Sequence, residues 1–255
     1  MVGFLVVMAC ARPPPHTRLD DEPPRLVNAF FGLDDALPAR AAGLCLAAPG
    51  KDGMPVTFSR RVAGSVPPTA FTVITRSGVR KTPLCATTSP ASGRSKRHTV
   101  LLIGDLGSEA DPPMSVSVTG DLMLEGDVNA KGLSSAVTPL TDGPTLVLAM
   151  QATPVTLQSN CPSSTRQIVT VVWAGGVTPV PGAKPDAHRD AYRVRTAEGE
   201  VTPFALGDLG DSDNYEHLCL DVASPALSVS CRAGVLVDPR GDPNPNTSLE
   251  VSAAR

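Results

Sequence analysis

The sequence predicts an all-β protein made of two related units, and three observations carry that expectation. Turn formers are abundant and charge is sparse: 26 prolines and 22 glycines stand among 255 residues, with 18% charged. Proline and glycine interrupt helices and populate turns, so this composition favours many short strands. Next, Phe71-Thr72-Val73-Ile74-Thr75-Arg76-Ser77-Gly78 alternates apolar and exposed positions and closes on a glycine. That is the pattern of a half-buried strand entering a hairpin. Finally, the same grammar returns at Tyr192-Arg193-Val194-Arg195-Thr196-Ala197-Glu198-Gly199, and Thr-Pro follows in both places, at Thr82-Pro83 and Thr202-Pro203. An apolar content of 42% is too high for a disordered chain. The length suffices for two domains, each with its own core.

Taken in order, the chain opens with an apolar run, Val2–Ala9, that ends at Cys10 and meets the Pro-rich segment Arg12-Pro13-Pro14-Pro15-His16. Val7-Met8-Ala9-Cys10 resembles a bacterial lipobox, although Met8 stands where a small or β-branched residue is usual. The resemblance implies export and lipid modification of Cys10, with residues 1–24 serving as signal, anchor and linker. Attachment to a membrane would then run only through that lipid, because the apolar run is too short to span a bilayer. The plain alternative is a first strand or a packed tail.

The first unit is expected over 25–141. It begins with an apolar strand at Arg25–Gly32, then a stretch at Leu33–Ala48 that Pro38 and Gly43 reduce to a short helical turn or loop. Gly50-Lys51-Asp52-Gly53 reads as a turn before the strand Pro55–Ser59. The strand at 71–75 follows, then Thr82–Thr87. The basic run Arg94-Ser95-Lys96-Arg97-His98 lies among Ser and Gly and is expected as a solvated hairpin tip. Thr99–Ile103 and Met114–Val118 supply two more strands, and 126–129 a turn.

Asp142-Gly143-Pro144 marks the boundary, and the second unit, 142–255, replays the first. Thr145–Ala149 opens it, and Ile168–Trp173 follows. Glu216–Leu220 takes the place of 99–103, Leu227–Cys231 that of 114–118, and 241–244 that of the turn at 126–129. The short linker predicts units that pack together with little freedom. Gly-Asp-Leu-Gly occurs at 104–107 and 207–210, but at a different offset, so those copies are expected in different loops.

A strand ending in Phe-Ser, then a valine, then Pro-Thr-Ala-Phe-Thr-Val and a Gly turn resembles bacterial Ig-like domains of the surface-layer and copper-resistance-protein type. The resemblance rests on Val56, Phe58, Ser59, Val62, Phe71, Val73 and Gly78. It implies two tandem antiparallel Ig-like β-sandwich domains outside the cytoplasm. Cysteine usage agrees with an oxidising compartment: six cysteines stand at 10, 45, 85, 161, 219 and 231, with no CxxC and no zinc-type spacing. Spacing leaves three connectivities open for any four cysteines. The repeat selects Cys45–Cys85 and Cys161–Cys219, and leaves Cys231 as a buried thiol.

For function, a formal charge of −3 gives no footprint for nucleic acid. A single Trp173 argues against an aromatic-lined carbohydrate cleft. The chain has no Gly-x-Ser-x-Gly elbow, P-loop or dinucleotide fingerprint. The acidic loops carry the candidate chemistry: Asp208, Asp211, Asp213 and Asn214 in one, Asp238, Asp242 and Asn244 in the other. Hard oxygens crowded on a loop suit calcium, although Asp and Asn also form ordinary turns. A transition-metal reading would draw on His217, with His188, Asp190 or Asp221. The leading expectation is a non-enzymatic, exported binding or structural module whose loops meet an unidentified protein or surface polymer. The alternatives are an enzyme or metal-handling protein with a site at the junction near Asp208–Asp221 and His188, and a carrier of a small apolar ligand between the units.

Overall fold

The computed structural model describes residues 22–253 except 92, 94, 95, 153, 155, 156, 158, 185 and 208–212. The anchor assigned to Cys10 lies outside the described residues, as do Asp208 and Asp211. The chain is all-β: its named helical elements are short 3-10 turns at Ala39–Gly43, Pro68–Ala70 and Arg189–Ala191. Among the described residues no helix is long and apolar enough to cross a membrane.

The first ten strands are β1 (Leu26–Phe30), β2 (Asp52–Phe58), β3 (Phe71–Thr75), β4 (Arg80–Lys81), β5 (Cys85–Thr87), β6 (Thr99–Gly104), β7 (Pro113–Val118), β8 (Met123–Leu124), β9 (Val128–Asn129) and β10 (Ser134–Thr138). Eight of them form one sheet in the order β4-β3-β7-β10-β1-β2-β6-β5. Every described pairing within it is antiparallel except β1 with β10, which is parallel. The sheet folds back on itself, because one core takes Leu26, Val56, Phe58 and Leu102 from one half and Phe71, Val73, Val116 and Val137 from the other. Alternation drives this: on β3, Phe71, Val73 and Thr75 are buried while Thr72 and Ile74 are half-buried.

The remaining strands are β11 (Leu146–Ala152), β12 (Gln167–Trp173), β13 (Thr178–Pro179), β14 (Tyr192–Thr196), β15 (Gly199–Val201), β16 (Ala205–Leu206), β17 (Tyr215–Leu220), β18 (Ala226–Cys231), β19 (Leu236–Val237), β20 (Thr247–Glu250) and β21 (Ser252–Ala253). They pair as β16-β17-β12-β11-β21 and β15-β14-β18-β20. This is the first order again with the place of β10 shared by β20, which pairs with β18, and β21, which pairs in parallel with the opening strand β11. A second core joins Val169, Val171, Trp173 and Leu218 to Tyr192, Val194 and Val229. The echo at 71 and 192 is therefore one element used twice, and Gly78 and Gly199 supply its turns at φ +84° and +140°.

Both disulfides form, Cys45–Cys85 with Cα atoms 6.5 Å apart and Cys161–Cys219 with Cα atoms 5.7 Å apart. Cys231 is a buried free thiol. The two bridges are close to equivalent but not identical. Cys85 sits on β5 opposite Ile103 of β6, whereas Cys219 sits on β17, the counterpart of β6, opposite Ala205. The first bridge pins the 33–50 segment over Ile103, where Leu37, Ala41 and Ala48 form a small satellite core.

Strand β2 starts at Asp52, earlier than the turn expected at 50–53 allows, because Asp52 and Gly53 pair with Gly104 and Ile103. The basic run is the larger correction. Lys96 and His98 are buried, at 3% and 6% exposure, so this segment is no solvated tip. It is folded into the contact between the two units. Of the two Gly-Asp-Leu-Gly copies, Gly104 ends β6 and Gly207 follows β16, the counterpart of β5, so the two begin in different places as expected.

Candidate functional site

The two units meet along an apolar seam. Leu148, Val172 and Tyr215 pack with Ala91 of the first unit, with Val27 and Met150 at the margin. This explains why β12 and β17 are buried at every position: one face fills the second core and the other covers its neighbour. Phe30, wholly buried at the end of β1, lies so close to Gly175 that a Cβ there would come within 2.7 Å of the ring.

Polar contacts fix the seam where the two units diverge. Lys96 Nζ lies 2.6 Å from Asp213 Oδ2, with side-chain exposures of 4% and 1%. Asp213 Oδ1 also accepts the Tyr215 N–H at 2.8 Å. The His98 N–H donates to the Tyr215 hydroxyl at 3.1 Å. Asn214 Nδ2 donates to the Trp173 carbonyl at 2.6 Å and to Thr99 Oγ1 at 3.3 Å. Burial of Tyr215 pushes its phenol well above the ordinary value, so it stays protonated. The basic insertion of one unit and the acidic loop of the other are thus partners.

Beside this seam is a cavity of about 380 Å³. Its walls come from the 33–44 segment, β2, β6, the turn at 88–91, Gly175 and Gly176, Asp213 and Asn214, and Pro239. Leu33, Leu37, Leu44, Ala91 and Leu101 make it largely apolar, and its size falls within the usual range for small-molecule pockets. No local signal foretells it, since the walls are drawn from segments that meet only after both units have folded.

Of the calcium candidates, Asp213 and Asn214 are committed to the seam. In the other loop, Asn244 Oδ1 accepts the Val235 and Leu236 N–H groups, and its Nδ2 donates to the carbonyls of Arg232 and Pro245. It braces a turn. Asp238 is 2% exposed; its Oδ1 accepts the N–H groups of Arg240 and Asp242, while Oδ2 has no hydrogen-bond partner among the described residues. Burial raises its carboxyl above the ordinary value, and the N–H groups of Asp242 and Arg240 oppose the rise. Asp242 Oδ2 lies 3.5 Å from Arg240 Nε.

A cluster that sequence reasoning missed is Asp34, Asp35 and Asp52, whose carboxylate oxygens approach within 4.8 Å of one another and could hold a metal ion. Asp34 and Asp35 lie in the stretch expected as a short helical turn or loop, and Asp52 in the turn expected at 50–53. Asp52 is fully buried and accepts the N–H groups of Asp35, Leu106 and Gly107, tying two loops together. Burial raises its carboxyl, and those donors oppose the rise.

The histidines do not converge. His217 faces Thr170 Oγ1 at 3.1 Å on one side of β17. His188 Nε2 lies 2.8 Å from Glu216 Oε1, out of hydrogen-bond alignment, among groups of the second core. There the Tyr192 hydroxyl donates to Glu216 Oε2 and accepts from Trp173 Nε1 at 3.0 Å. Burial raises the Tyr192 phenol and pushes the Cys231 thiol up to about 12, so neither ionises near neutral pH. Asp221 is exposed.

Among known proteins, the chain matches no family model and no curated sequence.

Proposed function

We propose that the chain is an exported, non-enzymatic binding module of two tandem Ig-like β-sandwiches, 25–141 and 142–255, whose binding site is the pocket at their junction. One observation carries this reading: a preformed, largely apolar cavity walled by both units and braced by the buried Lys96–Asp213 pair. The repeated strand order supports the Ig-like assignment, with a parallel contact between first and last strands in each copy. Two disulfides fit folding in an oxidising compartment. A lipid on Cys10 would tether the module outside the cytoplasm.

Of the alternatives, the pocket favours the small-ligand carrier over a loop-presenting surface module. The junction enzyme finds less support, because Asp213 is neutralised by Lys96 and His188 turns to Glu216. The test is binding of the neutral dye N-phenyl-1-naphthylamine, followed by its fluorescence. Saturable binding at one site, lost when Leu101→Trp fills the pocket, is the expected result. No binding, or unchanged binding to that variant, would refute the assignment of the site. Tethering is tested separately by palmitate labelling, which Cys10→Ser should abolish.

A structural calcium ion is a second reading, favoured by the buried Asp238 Oδ2 without a hydrogen-bond partner and by the Asp34, Asp35 and Asp52 cluster. Chelation should then lower the melting temperature, and an unchanged value would sink the idea.

A further inference from the structure

The charges around the junction pocket do not balance. Asp213 reaches its wall, but both carboxylate oxygens are engaged, one by the Lys96 ammonium and the other by the Tyr215 N–H. Asn214 Nδ2 and Thr99 Oγ1, also on the wall, are joined to each other at 3.3 Å. What the wall offers inside is therefore mainly carbon. Arg40 differs. It is exposed, stands in the last turn of the 3-10 segment that forms one lip of the pocket, and has no ion pair or hydrogen bond among the described residues.

A largely apolar, half-open pocket with an exposed guanidinium on its wall, unpaired among the described residues, has a definite complement. The body of a ligand gains by leaving water, in proportion to the apolar surface covered. A planar oxyanion head gains a charge-assisted, bidentate contact with arginine that an alcohol or an ammonium cannot make. A cationic head would meet Arg40 with like charge, and it would find at Asp213 a carboxylate already neutralised.

We propose that the junction pocket binds an amphipathic anion, with an aliphatic or aromatic body in the cavity and a single carboxylate or similar oxyanion head at Arg40. This rests on the assignment of the pocket as the binding site. It goes further by naming the chemistry of the ligand and the residue that selects it.

The test is titration calorimetry of the intact protein with three probes that share one chain: sodium decanoate, decan-1-ol and decyltrimethylammonium. Decanoate is expected to bind once per protein and roughly tenfold more tightly than decan-1-ol, as a charge-assisted contact near a pocket mouth allows. Arg40→Gln should erase that preference, so that decanoate binds no more tightly than decan-1-ol. Leu101→Trp should abolish binding of every probe; Thr88→Trp, elsewhere on the wall, serves if the first variant does not fold. Wild-type protein that prefers decan-1-ol or the ammonium, or a preference for decanoate that survives Arg40→Gln, would overturn the anion assignment and leave the pocket standing. Absence of binding by all three, or binding that both filled variants retain, would overturn the pocket as well.

Discussion

At the scale of single residues, two buried charges decide how the molecule responds to change. Lys96 and Asp213 are nearly inaccessible to water and are paired at 2.6 Å. Removing one partner strands the other, at a cost of about 3 kcal/mol or more, whereas replacing both with apolar groups is often close to neutral. Lys96→Met should therefore lower the denaturant midpoint strongly, and Lys96→Met with Asp213→Leu should recover most of the loss; a double variant no better than the single would contradict this account. Asp238 shows the opposite kind of charge, one held against its preference. Its folded carboxyl titrates above the ordinary value because burial disfavours the anion. Its contribution to stability is thus fully present below the ordinary carboxylate range and is lost as pH rises through the raised folded value. In the presence of chelator, Asp238→Asn should be more stable than wild type at neutral pH, with the gap closing on acidification. Thermal melts across that range would show it.

At the scale of elements, alternation accounts for β3 and β14, and the repeat accounts for the cysteine pairing. The same register explains why the first disulfide matters to the pocket. Cys45 belongs to the segment whose Leu33, Leu37, Ala41 and Leu44 form the outer wall, and its bridge to β5 is the covalent tie of that wall to the sheet. The segment has little regular structure and exposes Leu46 at 92%. Cys45→Ala with Cys85→Ala should open it to limited proteolysis between 36 and 47, with both β cores resistant. It should also lower stability by about 2–5 kcal/mol, the usual effect of losing a native disulfide in a small domain. Cleavage sites mapped by mass spectrometry would locate the change, and an unaltered pattern would mean that packing alone holds the wall. Gly207 shows similar tightness at the other bridge, where a Cβ would lie 2.6 Å from Cys161 Sγ.

At the scale of the whole molecule, the junction makes two similar units into one structure. Gly143, in the linker, is packed so tightly on the carbonyl of Pro243 that no side chain fits. Gly175 plays the same part against Phe30. Gly175→Ala should displace that ring, at about 1–3 kcal/mol for overpacking. It should also weaken dye binding in the pocket that Phe30 helps to line. A variant with wild-type stability and binding would show that the ring yields freely.

The main core strands, the two copies and the burial of Cys231 were legible in the chain, because they depend on alternation, turn residues and repetition, which are local; the closing strands β10, β20 and β21 were not. The amino-acid sequence by itself determined an all-β chain with one order of strands used twice. It could not reveal that Lys96 is buried. A lysine in a Ser/Gly-rich turn is ordinarily solvated, and its partner Asp213 lies far along the chain in the other unit. For the same reason the engagement of Asp213, one of the calcium candidates, by Lys96 and the Tyr215 N–H could not be read from the loop itself. Only the tertiary structure decided that the two divergent insertions meet, that a pocket forms beside them, and that Arg40 stands there with no ion pair among the described residues. Local pattern sets which face of a strand is buried. What it is buried against is set by packing between segments that no window of sequence contains.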